Sequence, residues 1–252
     1  MLNHPTYEKL RALKLAGMAD ALAEQASLDI CREMSFEERL GLLVDREMTR
    51  RSNRQCELRL QAARLGQAAT AEDIDLNHPR GLDRSLVAAL LGGDWIRRHE
   101  NCLVTGPTGV GKSYLACALA NKACRAGTKV LYARAPRLFQ ELAIAKADGS
   151  YGRRLLSMAR CDLLVLDDWG LAPLTAEQAR DLLEILEDRY GKRSTMVVSQ
   201  LPVENWHPVI AEPTIADAIL DRLVHNAHRL PLSGESMRKV KGRLTNQSRQ
   251  GA

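Results

Sequence analysis

Residues 106–113, Gly106-Pro107-Thr108-Gly109-Val110-Gly111-Lys112-Ser113, constrain this chain more than any other stretch. They fit the pattern G-x-x-x-x-G-K-[ST], in which each position has a mechanical task. Glycines let successive backbone N–H groups curl around an anion where a Cβ would intrude. Lys112 sets an ammonium against β- and γ-phosphates, and the Ser113 hydroxyl is placed to hold Mg²⁺. The short apolar segment Asn101-Cys102-Leu103-Val104-Thr105 reads as a strand leading in. Tyr114-Leu115-Ala116-Cys117-Ala118-Leu119-Ala120 continues as a helix whose positive end faces the same anion. A glycine-rich turn matching by chance carries neither flank. Gly106, Pro107, Thr108, Gly109, Val110, Gly111, Lys112 and Ser113 are therefore expected to bind a nucleoside triphosphate with Mg²⁺.

From Leu82 onward, strand and helix patterns alternate, which predicts an α/β fold: a parallel sheet with crossover helices. Strands are expected at 101–105, 129–134, 162–167, 194–200 and 228–232. Helices are expected near 84–98, 112–126, 136–146, 152–159, 175–190, 215–226 and 235–243. Residues 6–64 read as helices only. Leu10, Leu13, Leu15, Met18 and Leu22 give one apolar side, and Ser35-Phe36-Glu37-Glu38 is a capping box opening a further helix. Phe36, Leu40, Leu43 and Val44 continue at helical spacing. The expected organisation is a small all-helical domain over 1–70, a linker over 71–81 ending in Pro79-Arg80-Gly81, and a phosphate-loop domain over 82–252.

At 252 residues the chain can bury a sizeable core, and it holds no apolar run of the roughly 18 residues that a membrane helix needs. The N-terminus lacks the charged and apolar regions of a signal peptide. The six cysteines form no C-x-x-C pair, and Cys117, Cys124 and Cys161 sit among apolar residues, as buried thiols do. A cytoplasmic protein without membrane contact is expected. Charge is uneven: residues 222–252 carry seven Lys/Arg against one acid, while 71–221 carry 18 against 20. Within 46–64 lie Arg46, Arg50, Arg51, Arg54, Arg59 and Arg64 against Glu47 and Glu57. Two basic patches flanking an acidic middle point to a polyanionic partner, with Arg46, Arg50, Arg51 and Arg54 as candidate DNA contacts.

Asp162-Leu163-Leu164-Val165-Leu166-Asp167-Asp168 reads as a buried strand ending in two carboxylates. Beside a phosphate loop, Asp167 is placed to organise Mg²⁺ and Asp168 to orient or activate the attacking water. The strand Ser194–Gln200 ends in Ser199 and Gln200, either of which is placed to touch the γ-phosphate or the water. Arg222 lies between apolar neighbours in a helix at Ile219-Leu220-Asp221-Arg222-Leu223, and Arg238, in Ser236-Met237-Arg238-Lys239, is expected to open another short helix. An arginine given to a γ-phosphate stabilises transition-state charge. If Arg222 cannot reach its own phosphate loop, it serves a neighbouring subunit, which implies an oligomer.

Together these residues resemble the AAA+ ATPases of the DnaA/DnaC branch and, more closely, the IstB-like transposition helper ATPases of bacterial insertion sequences. The resemblance runs through Leu13–Ala19, Gly93-Asp94-Trp95-Ile96, the phosphate loop, Leu164–Gly170, Ser199-Gln200-Leu201-Pro202 and Asp221-Arg222-Leu223. It implies that Lys112, Ser113 and Asp167 bind nucleotide and metal, and that Asp168 is the catalytic carboxylate. It further implies Gln200 or Ser199 as first sensor, Arg222 as arginine finger and Arg238 as second sensor. Residues 1–70 resemble the family's domain for DNA and partners, and 135–160 its extra helical insert for packing into spiral oligomers. The implied function is an ATP-dependent helper that assembles on double-stranded DNA as a homo-oligomer, remodels it and recruits the transposase encoded by the same element. A DnaC-like helicase loader is the alternative; a small-molecule kinase is disfavoured by the helical N-terminal module.

Two departures from the family pattern stand out. Most AAA+ proteins have Asp-Glu where this chain has Asp167-Asp168, and the shorter side chain predicts slow intrinsic hydrolysis. Only 20 residues follow position 232, too few for a full C-terminal helical lid.

Overall fold

A computed structural model describes residues 5–237 of the chain. Arg238 and most of the helix expected over 235–243 lie outside the described residues. Contacts divide the chain into two compact units, Met1–Leu58 and Arg59–Ala252, so the division falls inside a helix rather than in the expected linker.

In the first unit, α1 spans Pro5–Ala12, α2 spans Ala16–Ser27 and α3 begins at Phe36 and runs to Ala63. The capping box forms as the sequence predicts: Glu38 N–H donates to Ser35 Oγ at 3.2 Å and Ser35 N–H to Glu38 Oε2 at 2.8 Å. The expected apolar sides enter the core only in part: Leu10, Leu15, Met18 and Leu22 are half-buried. Phe36, Leu40, Val44 and Leu13 are exposed, whereas Gly17, Ala19, Ala21 and Leu43 are buried. Small residues win because the helices approach closely: a Cβ on Gly17 would lie 2.8 Å from Glu47 Cα. No side chain of its own caps α2. Glu47 on α3 does so, accepting from Gly17 N–H at 2.7 Å and Met18 N–H at 3.3 Å while Arg51 Nε holds its other oxygen at 2.6 Å. This satisfies N–H groups that a helix start leaves unpaired. These donors hold the Glu47 carboxyl below its ordinary range, the Arg51 hydrogen bond contributing most.

The second unit opens with the last turn of α3, where Arg59 Nε donates to Cys124 O at 2.8 Å and Ala63 is fully buried. The segment expected as linker packs into this unit: Ala69, Ile74 and Arg80 are all buried. The helix expected over 84–98 is two helices, α4 (Arg84–Gly92) and α5 (Asp94–Arg97). Gly93, at φ +79°, ends one and starts the other, a left-handed conformation that glycine adopts readily. The break lets Trp95 and Ile96 turn into the core.

Five parallel strands follow: β1 (Asn101–Thr105), β2 (Val130–Arg134), β3 (Leu163–Trp169), β4 (Ser194–Ser199) and β5 (Ala227–Pro231), in the order β2-β3-β4-β1-β5. Central β1, β3 and β4 are buried nearly throughout, while the edge strands β2 and β5 are only partly covered. That is why the middles of β1, β3 and β4 read as consecutive apolar residues rather than alternating ones. α6 (Lys112–Arg125) and α4 cover one face, where Cys102 and Val104 join Leu115 and Leu119. α7 (Ala135–Ala147), α8 (Tyr151–Arg160), α9 (Ala176–Arg189) and α10 (Pro213–Val224) contribute to the other core, with Leu103, Leu164 and Val197. The sheet and its flanking helices make the P-loop AAA+ architecture expected from the sequence.

Strand β3 runs two residues past its expected end, and its pairing with β4 shifts register between Leu166 and Trp169. Asp168 sits in that irregularity at φ +60°. Aspartate is among the few side chains that tolerate this conformation, and an extra residue in one strand locally bends the chain.

Candidate functional site

The strand order sets β3, β4 and β1 side by side, so their C-terminal ends converge. Thr105 pairs with Ser199 across β1 and β4, and Trp169 pairs with the same Ser199 from β3. The phosphate loop, the Asp167-Asp168 pair and Ser199-Gln200 therefore emerge at one edge. They surround a cavity of about 590 Å³.

Three loop glycines take positive φ: Gly106 at +141°, Gly109 at +89° and Gly111 at +93°. The structure adds a second reason for them. A Cβ at Gly106 would lie 2.2 Å from Leu232 O, one at Gly109 2.2 Å from Ser236 Oγ, and one at Gly111 2.6 Å from Arg80 Nη1. The loop is thus pressed from behind by the protein as well as shaped for a ligand. Val110 is fully buried and anchors it in the core. Leu232 N–H donates to Thr105 O at 2.7 Å and Met237 N–H to Gly109 O at 2.9 Å, fastening the segment after β5 along the loop.

Among the described residues, no side chain caps α6 behind Gly111. Its first N–H groups and the positive end of its dipole are thereby left for an anion. Lys112 is buried, and its Nζ donates to Pro107 O at 2.9 Å. Burial depresses its pKa, while the negative charges of Asp167 and Asp168 act in the opposite direction. Pro107 and Thr108 complete the loop, and Thr108 Oγ1 donates to Gln200 Oε1 at 2.6 Å.

Asp167 is buried, with both carboxylate oxygens occupied: Oδ2 accepts from Tyr132 OH at 2.6 Å and Oδ1 from Asp168 N–H at 2.8 Å. Burial, reinforced by this bond, pushes the Tyr132 phenol up. Asp168 Oδ2 pairs with Arg134 Nε at 2.5 Å. Ser199 is fully buried and already used, donating to Trp169 O at 2.8 Å and accepting from Leu201 N–H at 3.0 Å. Of the two sensor candidates, Gln200 is the one whose side chain touches the phosphate loop.

Arg222 is not brought to this cavity. It lies at the opposite end of β1, where Asn101 Nδ2 donates to its backbone oxygen at 2.8 Å. Its guanidinium donates to Glu187 Oε1 at 2.9 Å and Ala218 O at 2.8 Å and stands 6.0 Å from the Tyr190 ring centroid. The four candidate DNA contacts lie in the first unit, each ion-paired: Arg46 with Glu24, Arg50 with Asp20, Arg51 with Glu47 and Arg54 with Glu57. The basic face that the sequence suggests is partly neutralised: Glu47 and Glu57 lie at helical spacing from Arg51 and Arg54, while Asp20 and Glu24 come from α2, which helical spacing alone does not bring near.

Sequence reading missed three residues at the site. Tyr132 and Arg134 sit on β2, and the only sequence signal is the pairing of that strand with β3, which sets Arg134 opposite Asp167. Arg80, within the expected linker, lines the cavity and is buried. Its Nη1 donates to Val110 O at 3.2 Å and its Nη2 to Asp75 O at 2.9 Å; Nε finds no partner among the described residues. Burial lowers its pKa, with Asp75 opposing.

The chain matches the family described as IstB-like ATP binding protein over residues 8–245. It is 55% identical over 239 residues to the insertion sequence ATP-binding protein y4pL of Sinorhizobium fredii (strain NBRC 101917 / NGR234), covering 95% of this chain and 98% of that protein. It is 35% identical to the insertion sequence IS21 ATP-binding protein of Pseudomonas aeruginosa, over 91% of this chain and 86% of that one. Among solved structures it resembles DnaI, with a TM-score of 0.57 at 23% identity over 65% of this chain and 90% of that one. It also resembles the replication initiator DnaA bound to AMPPCP and single-stranded DNA, with a TM-score of 0.59 at 17% identity over 73% and 56%. Those two likenesses concern the fold. With a phosphate loop, a carboxylate pair and a polar strand end gathered on an AAA+ sheet, and with relatives matching along nearly its whole length, the chain belongs to the IstB-like ATP-binding proteins of insertion sequences.

Proposed function

We propose that this protein is an ATP-hydrolysing helper of insertion-sequence transposition. It assembles on double-stranded DNA as a homo-oligomer in the cytoplasm and remodels that DNA. It then delivers the DNA to the transposase of the same element, with hydrolysis driving release. The observation that carries this reading is the convergence of Lys112, Ser113, Asp167, Asp168 and Gln200 on one cavity, with Arg222 at the far end of β1.

The donors suit Mg²⁺. Among the described residues no cluster of three His, Cys, Asp or Glu side chains could hold an ion alone. One carboxylate and one hydroxyl, Asp167 and Ser113, match an ion that arrives with nucleotide phosphates and keeps several waters. When bound, it neutralises charge on the phosphates. Lys112 and the α6 N–H groups hold the phosphates, and Gln200 faces the γ-phosphate position from β4. Asp168 takes the proton of the attacking water. Its pairing with Arg134 holds one carboxylate oxygen, leaving the other for that water. Since Arg222 lies away from its own cavity, it acts on the γ-phosphate of a neighbouring subunit. Residues 1–70 supply DNA and partner contacts, and 82–252 the ATPase. Arg238 is assigned to the nucleotide as second sensor.

The test is ATP hydrolysis with and without duplex DNA, together with the mass of the assembly. Hydrolysis and assembly should both rise with duplex. Indifference to DNA, with stimulation by a replicative helicase instead, identifies a helicase loader.

A further inference from the structure

Tyr132 does not itself line the cavity, yet it holds the carboxylate on which the metal reading rests. Its hydroxyl donates to Asp167 Oδ2 at 2.6 Å from the neighbouring strand, while the Asp168 N–H holds Oδ1 at 2.8 Å. With one donor on each oxygen, the carboxylate plane is fixed and the remaining lone pairs are left for a cation. Tyr132 is itself held from the other side. A Cβ on Gly66 would lie 2.5 Å from the Tyr132 hydroxyl oxygen and 2.7 Å from its Cζ, so the backbone of the turn after α3 rests directly against the phenol.

We infer that Tyr132 is the positioning residue of the metal carboxylate Asp167, clamped in place by the Gly66 backbone. This rests on the reading of Asp167 as the residue that holds Mg²⁺. Partners that orient a metal ligand from outside its coordination sphere typically contribute about 10- to 100-fold in metal affinity. A tyrosine that merely filled space would contribute to melting temperature and nothing to metal dependence.

The experiment titrates MgCl₂ into the full chain with a fluorescent ATP analogue, reading Mg²⁺-dependent nucleotide binding rather than turnover. Tyr132→Phe removes one oxygen and keeps the ring. Its nucleotide affinity in EDTA should match the unsubstituted protein, and its half-saturating Mg²⁺ should rise about tenfold, the low end of that range. Gly66→Ala keeps the hydroxyl but displaces the ring, and should shift the same curve in the same direction. Either variant suffices if the other fails to fold. Asp167→Asn is the control. If Asp167→Asn shifts the curve and the other two superimpose on the unsubstituted protein, the positioning inference is overturned and the metal reading stands. If Asp167→Asn leaves the curve unmoved, the metal reading fails first and takes the inference with it.

Discussion

At the residue scale, the site separates binding from turnover. Lys112 is a buried cation, in the role proposed for it against the nucleotide phosphates, so Lys112→Ala should abolish nucleotide binding, measured with the same fluorescent analogue. Asp168→Asn leaves Asp167 and the loop in place, so binding should persist while hydrolysis is lost. Normal turnover by that variant would remove Asp168 from the catalytic role. Glu47 is the corresponding single-residue determinant in the first unit. Its folded pKa lies below the ordinary 4.5, so its contribution is fully present above that value and disappears as pH falls through the folded pKa. Glu47→Gln should lower the melting temperature of the helical unit at neutral pH and flatten its acid limb below about pH 4.5, followed by helical circular dichroism. An unchanged acid limb would show that the cap on α2 is not held by charge.

At the scale of the element, α3 carries two opposing features. Its arginines favour a phosphate backbone, yet Asp20 and Glu24 on α2 already pair with Arg50 and Arg46. Exposed pairs of this kind contribute only about 0–1 kcal/mol each, so phosphates can displace them at small cost. Replacing Arg50, Arg51 and Arg54 together should weaken DNA binding equally across sequences and reduce the salt slope by up to about 3. Asp20→Asn with Glu24→Gln should do the opposite and tighten binding at low salt. Affinity measured against salt on several unrelated duplexes checks both. If neither set moves the slope, this face of α3 is only solvated.

For the whole molecule, the decisive geometry is the length of β1. The phosphate loop leaves one end and Arg222 is tied to the other, so a single chain does not bring the two together. Arg222→Ala should keep ATP binding and lose hydrolysis by about 10³-fold. Mixing it with Lys112→Ala should restore activity, because one boundary then joins an intact loop to an intact arginine. The ATPase rate is followed against mixing ratio with duplex present. A flat line at zero with mixed oligomers confirmed by mass returns Arg222 to its ion pair with Glu187.

Much of this was legible in the sequence because it is encoded locally. The phosphate loop has fixed spacing, the buried strands have consecutive apolar residues at their middles, and Ser35-Phe36-Glu37-Glu38 specifies its own helix start. What lay beyond the sequence depends on non-local approach. Gly93 reads as an ordinary residue in a helical stretch until Trp95 and Ile96 need to enter the core. Arg80 reads as linker until Val110 O is found against its guanidinium. Exposed Phe36 and buried Gly17 reverse the hydrophobic ranking because interhelical distance, not side-chain polarity, decides which face can close. The sequence by itself determined the phosphate-binding loop and the acidic strand end, since each rests on residue type at fixed spacing, and its resemblance to a known family carried the AAA+ class. The tertiary structure alone decided that Tyr132 holds Asp167, that Arg134 holds Asp168, and that Asp20 and Glu24 of α2 partner Arg50 and Arg46. Those facts depend on which strands and helices become neighbours.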